Sequence, residues 1–207
     1  MRLKDLNKLH LDGIKEAANI GSGHAATALS QMMGKSIMVS VPEVKVLKLE
    51  EVPYIFGEKT PVVAAVLTNF FGDITGRNLL VFPEDKARLL VDILLAKNPG
   101  ETVGFGEMEI SSLKEIANIV SSSYLSAISE FLGIMVLPSV PSFTLDDLAA
   151  VLTSVYLQFT DEDDREYAFC VETSFYFTEE AVKLEGYLLM IPDKMGLERM
   201  LKSLGLL

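Results

Sequence analysis

The 207-residue chain has no tryptophan, one cysteine and two histidines, and each scarcity removes a class of chemistry. Cys170 has no partner for an internal disulfide. It lies in the apolar-alternating run Tyr167–Phe177, where a small buried strand residue is expected. His10 and His24 have no Cys or second His at ligand spacing, so no metal site is expected on them. Basic charge is also scarce. Eighteen Lys and Arg against 29 Asp and Glu leave a formal net charge of −11, which repels polyanions and excludes nucleic acid as a partner. No apolar run reaches the ~20 residues of a bilayer span. The charged N-terminus lacks the apolar stretch of a signal peptide, so a cytoplasmic location is expected. At ~150 residues per domain the length falls between one domain and two.

What is present is a repeat. Shifting the chain by 99 residues lays Asp12–Pro42 on Ser111–Pro141 without a gap, and 12 of the 31 aligned positions are identical. They include Lys15/Lys114, Glu16/Glu115, Asn19/Asn118, Ser22/Ser121, Gly34/Gly133 and Pro42/Pro141. Chance would give about two. The similarity resumes where Gly76–Pro83 resembles Gly186–Pro192, with the added residues placed near the acidic run Asp161–Glu166, a solvated loop by composition.

Both halves read alike. A long helix is expected over about Asp5–Met33 and about Glu107–Leu132, stopped by Gly34 and Gly133. Strands are expected at Ser36–Leu49, Val62–Phe71 and Ile74–Phe82, then at Met135–Phe143, Leu152–Thr160, Tyr167–Thr178 and Leu184–Ile191. Closing helices fall at about Glu84–Ala96 and Lys194–Leu204, and a short helix at Thr144–Val151 carries Asp146 and Asp147 in its first turn. Short turns between strands imply antiparallel pairing. The expected fold is α+β and internally duplicated, with two long helices packed on an antiparallel sheet about a pseudo-twofold axis. It forms one domain of two repeats, about 5–96 and 107–204, joined by the Gly- and Pro-containing stretch Lys97–Gly106.

At 100° per residue, Asp12, Glu16, Asn19 and Gly23 fall within about 60° of one another, and Ser111, Glu115, Asn118 and Ser122 repeat that stripe. Asn costs roughly 0.5–0.7 kcal/mol against Ala inside a helix, so local propensity did not place it twice. Gly21 and Gly23 remove side chains beside the stripe and suit close approach by another surface. A carboxamide can hold a water and contact a phosphoryl oxygen together, and a carboxylate three residues away can pair with an incoming cation. Neither group is a nucleophile or a metal site. The pattern suits orientation of water for a reaction whose other parts arrive with a partner.

Other motifs fail on context. Gly21-Ser22-Gly23-His24-Ala25-Ala26 matches G-x-G-x-x-A but continues a helix instead of following a strand. Gly34-Lys35-Ser36 ends like a phosphate-binding loop, yet Leu29 stands at the required first Gly. Asp161 and Asp163 have calcium-loop spacing, but Glu166 replaces the turn Gly.

The doubled pattern Asp12/Glu16/Asn19/Pro42 and Ser111/Glu115/Asn118/Pro141 resembles the signature of the CheC/CheX/FliY phosphatases of chemotaxis, and the resemblance spans essentially the whole chain. It implies hydrolysis of the aspartyl phosphate of the response regulator CheY, with no cofactor of the chain's own and Mg²⁺ supplied by the regulator. Asn19 and Asn118 would orient the water and Glu16 and Glu115 would contact the regulator's Lys. Asp12, Ser111 and Gly23 would support that contact, while Pro42 and Pro141 would shape the adjoining strand. It also implies binding of the deamidase CheD through Phe143–Leu148, with Asp146 in the acidic docking position and Asp147 departing from an expected apolar residue. Ser122 adds bulk where the first repeat has Gly23, which predicts a weaker second site. Because the duplication already supplies a pseudo-dimer, a monomer is expected. The alternatives are a non-catalytic adaptor that binds CheY or CheD on the same faces, and a structural subunit of the flagellar switch.

Overall fold

The computed structural model describes residues 8–41, 43–56, 61–157, 167–179, 181–203 and 205. Helix α1 (Lys8–Met33) and helix α3 (Glu107–Leu132) are the two long helices, each followed by a glycine with positive φ, +64° at Gly34 and +65° at Gly133. Only a residue without Cβ adopts that left-handed turn cheaply, which is why both helices stop there. At the other end of α3 the Glu109 carboxylate accepts the Gly106 N–H at 3.0 Å, half of a capping box.

The strands are β1 (Ile37–Ser40), β2 (Val44–Lys48), β3 (Val62–Gly72), β4 (Gly76–Pro83), β5 (Val136–Pro138), β6 (Ser142–Asp147), β7 (Tyr167–Phe177) and β8 (Val182–Pro192). They form one antiparallel sheet in the order β1-β7-β8-β4-β3-β5, with β2 also on β7 and β6 also on β3. The register is reciprocal. Ile37 faces Phe177 and Val44 faces Val171, while Val136 faces Gly72 and Phe143 faces Val66. Each half therefore lends its first two strands to the long hairpin of the other. The hairpins β3–β4 and β7–β8 meet at the centre, where Leu80 faces Leu188.

Both faces of the sheet are covered, so the central strands read as continuous apolar runs. On one face Val66, Leu80, Phe175 and Leu188 pack with α1, α3 and helix α2 (Glu84–Leu94). On the other, Val63, Ala65, Leu79 and Leu189 lie under Val52 of a 3-10 helix (Leu49–Phe56) and under helix α4 (Leu148–Leu157). Helix α5 (Lys194–Ser203) closes the chain, with Asp193 accepting the Gly196 N–H at 2.7 Å.

Three expectations are corrected. The run Ser36–Leu49 is two strands, and Met135–Phe143 likewise divides at Pro141, whose nitrogen has no hydrogen to donate to a ladder. Pro42, at the corresponding place, lies outside the described residues, as do the acidic run Asp161–Glu166 and the outermost residues expected in the first and last helices. Thr144–Asp147 belongs to strand β6, so Asp146 and Asp147 are not in the first turn of a helix. Leu152–Leu157 is helix, not strand: Leu148, Val151, Leu152 and Val155 fall at helical spacing and are all buried. Asp147 caps that helix by accepting the Ala149 N–H at 2.8 Å.

Candidate functional site

α1 and α3 pack against each other in antiparallel fashion, Gly13 lying beside Phe131 and Gly21 beside Tyr124. The crossing is close because its residues are small. A Cβ at Gly21 would meet the Tyr124 Cα at 2.9 Å and the Ser123 carbonyl oxygen at 3.2 Å. Gly21 is thus a packing residue of the helix pair, which corrects its reading as part of an open face. Gly23 keeps that reading, since a Cβ there meets nothing within 4 Å. The buried neighbours at the crossing are Ala18, Ser22 and Ala25 on α1 and Ala117, Ser121 and Tyr124 on α3. Burial pushes the Tyr124 hydroxyl up to about 12, with Thr173 nearby drawing it back slightly.

With those positions turned inward, the stripe faces solvent. Asp12, Glu16, Asn19 and Gly23 are all exposed. In the second helix Ser111 and Glu115 are exposed, while Asn118 and Ser122 are half-buried. Among the described residues no hydrogen bond engages the side chains of Glu16, Asn19, Glu115 or Asn118; nearby, the Ser22 hydroxyl donates to the Asn19 backbone carbonyl at 2.7 Å and the Thr27 hydroxyl to the Gly23 carbonyl at 3.0 Å. Each Glu–Asn pair is one helical turn, so the two side chains share a face. The antiparallel crossing sets Glu16 and Glu115 about 20 Å apart along the helix direction, near opposite ends of the pair. The structure brings together each pair, but not the two pairs into a single site.

Pro141 lies between β5 and β6, away from solvent only in part, and touches neither Glu–Asn pair by hydrogen bond. Asp146 is exposed on β6, and it accepts the Asp147 N–H at 2.8 Å. Cys170 is buried, and burial pushes its thiol up to about 12, so it is no nucleophile. Among the described residues no group of three or more His, Cys, Asp or Glu is placed to hold a metal ion, and no helix is long and apolar enough to cross a membrane.

A model of the CheC-like family matches residues 9–46 and 108–145, two segments offset by the same 99 residues as the sequence repeat. The chain is 31% identical over 198 residues to a Bacillus subtilis protein named CheY-P phosphatase CheC, covering 94% of this chain and 93% of that protein. The chain belongs to the CheC-like family. Within it, each matched segment runs from a long helix into the strands lent to the opposite half. A second relative, the flagellar motor switch phosphatase FliY of B. subtilis, is 29% identical over 126 residues, or 60% of this chain and 32% of that protein. Among solved structures, Thermotoga maritima FliY superposes with a TM-score of 0.76 at 24% identity, over 97% of this chain and 98% of that one. The middle domain of Helicobacter pylori FliM gives 0.67 at 11% identity, over 96% and 99%. At these identities the two superpositions establish a shared fold.

Sequence reasoning missed one feature at the site. A cleft of about 330 Å³ opens beside Glu115, lined also by Met32, Met33, Lys35, Ile93, Leu94, Ala96 and Ser112. Its signal in the sequence is the pair Met32-Met33 just before the stop at Gly34, apolar side chains at a helix end with Met32 half-exposed.

Proposed function

We propose that this CheC-like chain is a phosphatase acting on the aspartyl phosphate of a CheY response regulator. The observation that carries the reading is the pair of Glu–Asn turns, at equal spacing in the two family-matched segments, whose side chains face solvent with no hydrogen bond among the described residues. The name of the B. subtilis relative, which aligns over nearly its whole length, supports the substrate class.

In this reading Glu16 or Glu115 pairs with the regulator's active-site Lys and sets the register of docking. Asn19 or Asn118 enters the regulator's site and holds a water in line with the acyl phosphate. The water oxygen attacks phosphorus, the bond to the aspartyl oxygen breaks, and aspartate and inorganic phosphate leave. Placing that water replaces a disordered encounter with a near-attack geometry, which is the whole of the chain's contribution. Mg²⁺ belongs to the phosphorylated regulator and neutralises the phosphoryl oxygens there. Asp12, Ser111 and Gly23 support the docking face, and Pro42 and Pro141 act on the strands that follow.

We further infer that the halves are two copies of one unit in a single monomeric domain, a reading supported by the reciprocal register of the sheet. CheD docking through exposed Asp146 belongs to the same reading, now as contact with a strand and the cap of α4.

The test is release of phosphate from phosphorylated regulator in Mg²⁺. The protein should accelerate it, and Asn19→Ala with Asn118→Ala should remove the acceleration, a loss of about 10²-fold or more, while binding of the regulator persists. Acceleration undiminished in the double variant would exclude the water-positioning role. Binding without any acceleration by the wild-type protein would favour the adaptor.

A further inference from the structure

We propose that Lys15 and Lys114, each one helical turn before the asparagine of its site, bind the phosphoryl oxygens of the regulator's aspartyl phosphate and make docking depend on phosphorylation. The inference rests on the phosphatase reading and adds to it the group that recognises the phosphoryl charge.

The two lysines are identical across the 99-residue offset, as the Glu and Asn of each site are. Both are half-buried. At 100° per residue Lys15 lies about 40° to one side of Asn19 and Glu16 about 60° to the other, and Lys114, Asn118 and Glu115 repeat the arrangement. Beyond each lysine, at about 60° from the asparagine, is a serine buried at the helix crossing, Ser22 or Ser121. The lysine thus occupies the flank of the stripe nearest the crossing, where an aliphatic stem can lie on the protein while its ammonium stays in water. Residues four apart share a helix face, so the ammonium is within reach of whatever the carboxamide contacts.

Packing and local pairing do not account for this charge in both halves. On α3 the residues one turn from Lys114 are Ile110, Ser111, Ala117 and Asn118, none of them acidic. No hydrogen bond or ion pair holds Lys114 among the described residues, whereas Lys15 has a contact within the chain that docking would exchange. The substrate does account for it. Across each stripe run a carboxylate, a carboxamide and an ammonium, and the regulator's site offers in the same order a Lys, the attacking water and a phosphoryl group. Mg²⁺ and the regulator's Lys neutralise part of the phosphoryl charge, which is spread over three equatorial oxygens, and an incoming ammonium takes a remaining one. Without it, a chain of net charge −11 would bring Asp12 and Glu16 toward a dianion with no cation of its own beside them. The contact is made to oxygens charged both before and during transfer, so it strengthens binding and leaves the chemical step nearly unaltered.

The test is the double variant Lys15→Met with Lys114→Met, which keeps the stems and helix propensity and removes both charges. KM for phosphate release from the phosphorylated regulator should rise about tenfold with kcat within about twofold. Calorimetric titration with the regulator activated by beryllofluoride and Mg²⁺ should show the same tenfold loss. The unphosphorylated regulator, titrated as a competitor of hydrolysis, should keep its affinity within about twofold, and Lys15→Arg with Lys114→Arg should stay near the wild-type KM. An unmoved KM overturns the proposal. So does an equal loss for the activated and unphosphorylated forms, since the lysines would then meet a carboxylate of the regulator and not its phosphoryl group. Wild-type protein that neither binds nor dephosphorylates the regulator overturns the phosphatase reading itself, whereas binding and hydrolysis indifferent to both lysines overturn this inference alone.

Discussion

Asp92 offers the sharpest test of how the second half is held on the first. It is 1% exposed on α2, and its carboxylate accepts the Gly100 N–H at 2.7 Å and the Thr102 N–H at 2.9 Å, folding the connector back toward the start of α3. Burial alone would push this carboxyl up. The Thr102 side chain, the two N–H donors and nearby Lys97 more than offset that, and hold it below its ordinary value. The Thr102 hydroxyl falls short of hydrogen-bond geometry, so the two backbone donors are the contacts that count. In Asp92→Asn one donor keeps a neutral acceptor and the other faces an NH₂ group. Replacing two charge-assisted bonds of about 1.5–3 kcal/mol each by one neutral bond of about 1 predicts a loss of roughly 2–5 kcal/mol. A depressed folded pKa stabilises above the unfolded value, near 3.9, and that stability disappears as pH falls through the folded value. Urea unfolding followed by circular dichroism at pH 7, 5 and 3 should therefore show the full gap between wild type and variant at the two higher values and a smaller one in acid. A gap below about 0.5 kcal/mol at pH 7 would refute the reasoning, as would one that widens on acidification.

Two further outcomes follow from the topology and from β6. Residues 1–98 alone lose β7 as the partner of β1 and β2, β8 as the partner of β4, and β5 and β6 as partners of β3. That fragment should show no cooperative unfolding as a monomer, whereas the intact chain should sediment as a monomer; a folded monomeric fragment would refute the reciprocal sheet. Asp146→Lys should weaken co-elution with CheD about tenfold or more while leaving phosphate release intact, and equal co-elution would remove Asp146 from that contact.

The long helices were legible because their buried positions recur every three to four residues and a glycine follows each. Both end where expected, at Met33 and Leu132. α4 was not, because Val151, Thr153 and Val155 are β-branched and favour strands locally, while the buried stripe of Leu148, Val151, Leu152 and Val155 requires a helix once the sheet is beneath it. The exchange of β1, β2, β5 and β6 between halves was invisible for another reason. Alternation along a strand tells which face is buried and carries no information about which strand lies alongside. The stripe residues were found from spacing alone. The cleft beside Glu115 was not, since it is made by three elements distant in sequence.

The pattern of sameness between the helices separates packing from chemistry. At the crossing the halves differ: Gly21 gives room to Tyr124 on one side, and the corresponding positions on the other are Val120 and Ala25, both fully buried. Bulk has moved from one helix to its neighbour at fixed total space, as a close-packed interface permits. Glu16 and Glu115 are identical, as are Asn19 and Asn118, yet they touch solvent and make no hydrogen bond among the described residues that would require either type. Packing cannot explain their identity, and helix propensity opposes the asparagines. The proposed partner, presenting the same surface to each helix in turn, would account for both.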